Sequence, residues 1–279
     1  MVEDARYGYA WIESLRVAQV RHAASATPIT TSPRIAVVIH AFYPELLTEI
    51  LDDFRPDLFH ALFVTTIAER EEEVRRILDK ADVEYVLRVF ENRGRDVLPF
   101  IKIYNELVSG GFDLVVKVHT KRSMHRADGD VWRQNLIKPI LHASNFSRIV
   151  NAFMKDAALG MVGPDPHLTN VRNNIVMNES RVFGLGRRLG LVETEVRRAE
   201  FVAGSMFIAR VAALAPMMSL ALDDEDFEQE AGQLDGTLAH ALERVFALSV
   251  ISCGMKVRGI RDATHRHSLR ERCMKFIFG

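Results

Sequence analysis

The chain has 279 residues, 48% of them hydrophobic and 26% charged, which supports one sizeable core and excludes a disordered or fibrous chain. Lys and Arg total 36 against 37 for Asp and Glu, so no global field draws the protein to nucleic acid and any charge argument is local. Two cysteines, Cys253 and Cys273, are too few for a disulfide framework or a zinc site and suit a reducing compartment. The opening MVEDARYGYAWIE lacks a basic segment followed by an apolar run, and no apolar stretch reaches the roughly 18 residues of a membrane span. A cytoplasmic protein is expected.

Residues 1–33, with the small and polar run AASATPITTSP, read as an N-terminal arm and linker, and the domain proper starts near Arg34. From there, short β-branched apolar runs (RIAVVIHAF, FHALFVTTI, VEYVLRVF, FDLVVKVHT) alternate with amphipathic or charged segments of helical length. That alternation predicts an α/β fold, a Rossmann-like, mostly parallel sheet covered by helices on both faces. The second half is less regular. Helices are expected near VWRQNLIKPIL, NFSRIVNAFMKD, ETEVRRA and AALAPMMSLAL, and from Asp235 to about Leu248. Strand-like pieces are LGMVGPDPHL and FVAGSMFIA, and DDEDFEQE reads as a solvated acidic loop without the ligand pattern of a calcium site. The expected division is 1–33 arm, 34–252 domain (34–130 and 131–252 as its halves), and 253–279 as a basic tail. From Lys256 on, that tail carries seven Lys or Arg against two acids and ends in an apolar tip suited to an anionic membrane surface.

Ligands of such sheets collect beyond the carboxyl ends of the strands, so the residues just after each apolar run matter most. They are polar at all four: His40 with Phe42 and Tyr43; Thr65 and Thr66; Asn92-Arg93-Gly94-Arg95-Asp96; and Lys117, His119, Thr120, Lys121 and Arg122. Lys117, His119 and Lys121 alternate and so share one strand face, a grouping that fits a phosphate or diphosphate with help from Arg122 and Arg126, and equally fits a solvated basic strand end. Asp96 fits either a helix N-cap or an acceptor for ribose, base or sugar hydroxyls, while Gly94 supplies a positive φ. In FVAGSMF, Gly204 and Ser205 mark a close backbone approach. Asp235 opens a helix, as an N-cap or as a general base, and His240 with Glu243 form an i,i+3 pair that is either packed or catalytic.

Together, HAFYPEL, ENRGRDVLPF, KVHTKRS, FVAGSMF and GQLDGTLAHALER resemble, in order, the rhamnan synthesis protein F family, glycosyltransferase-like proteins of bacterial cell-wall and lipopolysaccharide assembly. The resemblance runs from about Arg34 to Phe246 and leaves the arm and tail outside. It implies a GT-A-like fold with a nucleotide-sugar half and an acceptor half. The implied donor is a nucleotide sugar such as dTDP-L-rhamnose, and the acceptor a growing glycan, often carried on a polyprenyl diphosphate. Many GT-A enzymes carry an Asp-x-Asp metal motif where this chain has Lys117-Val118-His119-Thr120-Lys121, so a metal-independent transferase with no cofactor is expected, the cations neutralising the leaving diphosphate. In that reading Asp235 is the first choice of base, with Glu243 and Asp96 as alternatives and His240 beside them. His40, Asn92, Gly94, Arg95, Asp96, Lys117, His119, Lys121 and Arg122 bind the donor, and Gly204 and Ser205 floor the junction. The alternative is a non-catalytic glycan- or nucleotide-binding module. Phosphoryl transfer would call for a glycine-rich phosphate loop that the chain lacks, and nucleic-acid binding for a larger basic surface.

Overall fold

In the computed structural model, residues 29, 32–52, 54–122 and 136–264 are described. Strands β1 (Ile35–His40), β2 (Ala61–Ile67), β3 (Val86–Phe90) and β4 (Leu114–His119) alternate with helices α1 (Pro44–Asp52), α2 (Glu71–Lys80) and α3 (Val97–Ser109). Helix α4 (Ala143–Lys155) leads into β5 (Leu159–Gly163) and β6 (Leu168–Asn170). Then come α5 (Glu179–Arg188), α6 (Glu193–Arg198), β7 (Glu200–Val202), β8 (Phe207–Arg210), the single turn α7 (Ala215–Met218), α8 (Leu238–Ser252) and β9 (Lys256–Gly259).

Seven strands form one sheet in the order β3-β2-β1-β4-β8-β5-β9. β1 pairs in parallel with β2 and β4, β2 with β3, and β5 with β9, while β8 runs antiparallel between β4 and β5. The expected α/β class, a mostly parallel sheet with flanking helices, is therefore what the chain adopts. The apolar runs are continuous because both faces are covered. Ala36, Val38, Val115, Phe207 and Ala209 face one core cluster with α3 and α8, and Ile35, Val37, Ile39, Val116, Val118 and Ile208 face the other with α1 and α4.

Several expected boundaries shift. The tail drawn from residue 253 begins inside the fold, because Val257 pairs with Met161 and the Lys256–Gly259 strand closes one edge of the sheet; helix continues to Thr264. FVAGSMFIA is two strands, since β7 pairs with β6 in a separate ribbon and β8 joins the main sheet, with Gly204 and Ser205 turning between them at φ of 89° and 46°. The last helix starts at Leu238 rather than Asp235, and Thr237 is its N-cap. Twelve of its fifteen residues are buried, so α8 is a core helix and not a surface one. The expected helix around AALAPMMSLAL shortens to one 3-10 turn and α7, because Pro216 sits at its second residue and Ala221 turns back at positive φ. The acidic loop is only partly solvated: Phe227 is buried, and Lys102 binds Asp224 at 2.6 Å. Arg126 and the first part of VWRQNLIKPIL lie outside the described residues, as do most of the arm and the apolar tip of the tail.

Candidate functional site

The carboxyl ends of β1, β3 and β4 open onto two adjoining cavities, of about 340 and 710 Å³. Arg95, Asp96, His119, Lys121 and Leu234 line both. The larger extends over His40, Phe42, Tyr43, Asn92 and Arg122; the smaller reaches Gly204, Ser205, Asp235, His240 and Glu243. Thus, of the residues expected to bind the donor, act as base or floor the junction, all but Lys117 and Gly94 line these cavities, from segments about 200 residues apart.

Lys117 takes a different place from the expected diphosphate ligand. It is 1% exposed, its Nζ donates to a carboxylate oxygen of Asp96, to the Ser205 carbonyl at 3.1 Å and to Ser205 Oγ at 3.3 Å. Rings of Phe100, Phe207 and Phe246 surround the ammonium at 5.3 to 5.9 Å. The Ser205 hydroxyl donates to the same Asp96 oxygen at 2.7 Å, and His119 Nδ1 stands 3.3 Å from it without hydrogen-bond alignment. Asp96 sits at the N-cap of α3 yet caps nothing with its side chain, because its carboxylate turns into this pair. Burial opposes its charge, and the electrostatic influence of the adjacent His119 and of the Lys117 ammonium, with hydrogen bonds from Lys117 and Ser205, overcomes that and holds it well below the usual carboxylate range. The one strand face therefore carries a neutralised pair at its base, with His119 and Lys121 nearer the cavity.

The imidazoles are kept neutral at neutral pH. Burial pushes His40 down to about 4, with Asp96 opposing and Lys117 assisting; its Nδ1 lies 2.9 Å from Thr65 Oγ1. His119 is pushed down to about 3, again first by burial. His240 falls to about 4 through burial and then the Arg95 charge, and its Nδ1 lies 2.7 Å from Thr237 Oγ1.

Gly94 is buried at φ 64°, and a Cβ there would stand 2.6 Å from both Leu98 Cβ and Phe227 Cδ1. The close approach expected at this glycine is thus made by Phe227, not left for a ligand. The following Arg95, also at positive φ, donates to the Gln233 carbonyl and pairs with Glu230 at 3.6 Å. With Arg93 donating to the Asp224 carbonyl at 2.7 Å, these bonds tie the segment from Asp224 to Asp235 across the end of the sheet. Arg122 pairs with Glu45 and lies over the Tyr43 ring at 5.0 Å.

On the other side, Glu243 accepts from the Gly204 amide and binds Arg244 at 2.9 Å. Arg244 also donates to the His240 carbonyl at 2.6 Å and the Asn174 carbonyl at 2.8 Å. Glu243 accordingly anchors the Gly204 turn and is engaged by a buried cation. Asp235 accepts from Asn178 Nδ2 at 2.7 Å and, weakly, from the Met177 amide at 3.4 Å. Burial alone would raise its pKa; hydrogen bonds from Asn178, Gly236 and Met177 outweigh that and lower it. Among the described residues Asp235 is the cavity carboxylate that no cationic side chain holds: Asp96 has Lys117, Glu243 has Arg244 and Glu230 has Arg95. Glu230, Arg244 and Asn178 escaped the sequence reading. Glu230 lay in an acidic run read as solvent-facing, and Asn178 in the polar run NVRNNIVMNES, where nothing in spacing singles it out.

No three His, Cys, Asp or Glu side chains among the described residues converge closely enough to hold a metal ion. No helix among them is long and apolar enough to cross a membrane.

A family model described as rhamnan synthesis protein F matches residues 10–254. The match begins well before Arg34, inside the stretch read as an arm. Two relatives, each named "Uncharacterized protein WxcX" and from two strains of Xanthomonas campestris pv. campestris, are 39% identical over 260 residues, which is 93% of this chain. The chain spans about 37% of the length of these relatives. Among solved structures, 4-diphosphocytidyl-2C-methyl-D-erythritol synthase from Anaerococcus prevotii aligns with a TM-score of 0.43 at 12% identity, over 82% of this chain and 86% of that one.

Proposed function

The chain belongs to the rhamnan synthesis protein F family, and from that premise we propose that it is a glycosyltransferase of bacterial cell-surface polysaccharide assembly, moving a sugar from a nucleotide donor to a growing glycan. The observation that carries the reading is the junction of the two cavities. Cationic and imidazole groups (His119, Lys121, Arg122) line one side and an ionised carboxylate without a cationic partner, Asp235, lines the other.

The donor diphosphate lies in the larger cavity beside His119, Lys121 and Arg122, and the acceptor hydroxyl meets Asp235 in the smaller one. Asp235 takes the hydroxyl proton as the oxygen attacks the anomeric carbon, and the departing diphosphate is stabilised by side chains already in place rather than by a metal ion. With dTDP-L-rhamnose as a β-linked donor and an α-linked product, this single displacement inverts configuration. Lys117 and Asp96 shape the floor through Ser205, and the second oxygen of Asp96 remains to accept from a donor hydroxyl. A polyprenyl-diphosphate-linked acceptor would bring the protein to the inner face of the cytoplasmic membrane, where the basic segment after Lys256 meets anionic lipid.

The test is calorimetry of dTDP and UDP binding in chelator, with wild type and a Lys121→Ala/Arg122→Ala variant. Chelator-insensitive binding of one nucleotide that the variant loses supports the reading. Binding that appears only when magnesium or manganese is restored overturns the metal-free step, and no binding of either nucleotide favours a glycan-binding module.

A further inference from the structure

Asn178 occupies the N-cap of α5, the position where an Asn side chain ordinarily accepts from the first free amides of the helix. Here it makes no such bond. The residue is wholly buried, its Nδ2 donates to Asp235 Oδ1 at 2.7 Å, and its own Oδ1 makes no hydrogen bond to the protein. Both the missing cap and the unpaired buried oxygen cost stability. The backbone before it is also strained: Val176, a β-branched residue, sits at φ 43°, which brings the Met177 amide towards the other Asp235 oxygen at 3.4 Å. On the opposite side of the contact, Gly236 at φ 82° turns the chain directly after Asp235. Arg244 fixes this segment to α8 through the Asn174 carbonyl. Three local preferences are thus broken around one carboxylate, as happens where geometry is held for chemistry.

We propose that Asn178 is the positioning residue of the site, a neutral donor that orients Asp235 and keeps it ionised for proton transfer. A Lys or Arg in its place would hold the carboxylate as tightly but would stabilise its charge against accepting a proton. The amide donor fixes direction without adding a full opposing charge. This rests on Asp235 being the base, and the experiment separates the two claims.

The variant to make is Asn178→Ser. Serine caps a helix about as well as asparagine but is one atom shorter, so it can restore the α5 cap while withdrawing from Asp235. The Asp235 carboxyl is titrated directly by carbon NMR in aspartate-labelled protein, assigned by its absence in Asp235→Asn. In parallel the pH dependence of kcat is followed with the donor that calorimetry identifies. The expected result in Asn178→Ser is retained thermal stability, an upward shift of the Asp235 titration, an equal upward shift of the acid limb of kcat, and a fall in kcat of about tenfold with an unchanged donor KM. Asn178→Ala is the second variant, should serine find a new contact. An unmoved Asp235 titration in both, or a moved titration with an unmoved acid limb, overturns the positioning role. Near wild-type transfer by Asp235→Asn overturns the base reading instead, whatever Asn178 does.

Discussion

Lys117 and Asp96, twenty-one positions apart in the chain, form a buried ion pair whose ammonium is 1% exposed and enclosed by three phenylalanine rings. Removing one partner of such a pair strands the other charge in an apolar site, which costs more than the pair itself contributes. Lys117→Met is expected to destabilise the protein by about 3–5 kcal/mol, and Lys117→Met combined with Asp96→Leu to recover most of that loss. Urea unfolding of the two variants checks it; a double variant no better than the single would show that the pair is not the source.

Acidification should weaken the fold well above the carboxylate range. His40 and His240 are pushed down to about 4 and His119 to about 3, whereas unfolded histidines titrate near 6.5. Between those values the unfolded chain binds more protons than the native one, so stability is full above pH 6.5 and falls as pH drops towards 4. Asp96, held ionised, adds a further loss only below about pH 4, where the unfolded carboxylate begins to protonate. Urea midpoints measured from pH 7.5 to 4.5 should decline, and more shallowly in His40→Gln.

Glu243 and Asp235 should separate by phenotype. Glu243→Ala frees the buried Arg244 and the Gly204 amide together, and is expected to lower stability by about 2–4 kcal/mol along with ligand binding. Asp235→Asn, at a half-buried carboxylate without a cationic partner, should leave the melting temperature within a few degrees of wild type while transfer falls at least a hundredfold. Thermal melts of the two variants, beside a transfer assay, distinguish an anchor from a base.

Gly94→Ala is expected to cost about 2–4 kcal/mol, since the new methyl meets Phe227 and the backbone is already left-handed. Adding Phe227→Leu should return part of it. A neutral Gly94→Ala would mean that the segment over the sheet end yields more easily than its contacts suggest.

Much of this arrangement could be read from the chain itself, because parallel strands announce themselves as apolar runs and their polar successors must gather at one edge. His40, Asn92, Asp96, His119 and Lys121 were placed that way. Lys117 departs from the expected ligand role for a physical reason: a lysine on a strand face looks like a ligand until the carboxylate that neutralises it is known, and Asp96 arrives from a different element. FVAGSMFIA reads as strand, but its split into β7 and β8 and the place of β8 between β4 and β5 do not show in it, because Phe207–Arg210 is four residues long and its partners lie about 90 and 50 positions away. β9 was hidden because Lys256 and Arg258 alternate with Val257 at the sheet edge, so an edge strand resembled a charged tail. Asn178 could be found only from the bond that it makes.

The insertion of β8 between β4 and β5 also governs how the molecule can be divided. Val116 and Lys117 of β4 take their second set of backbone partners from Ile208 and Phe207, so a fragment ending near residue 130 would present β4 as a bare, apolar edge. The half that ends there is therefore not a module that can be expressed or transplanted by itself. A cut made there would yield a chain prone to self-association, with the Lys117 ammonium deprived of the Ser205 contacts that enclose it.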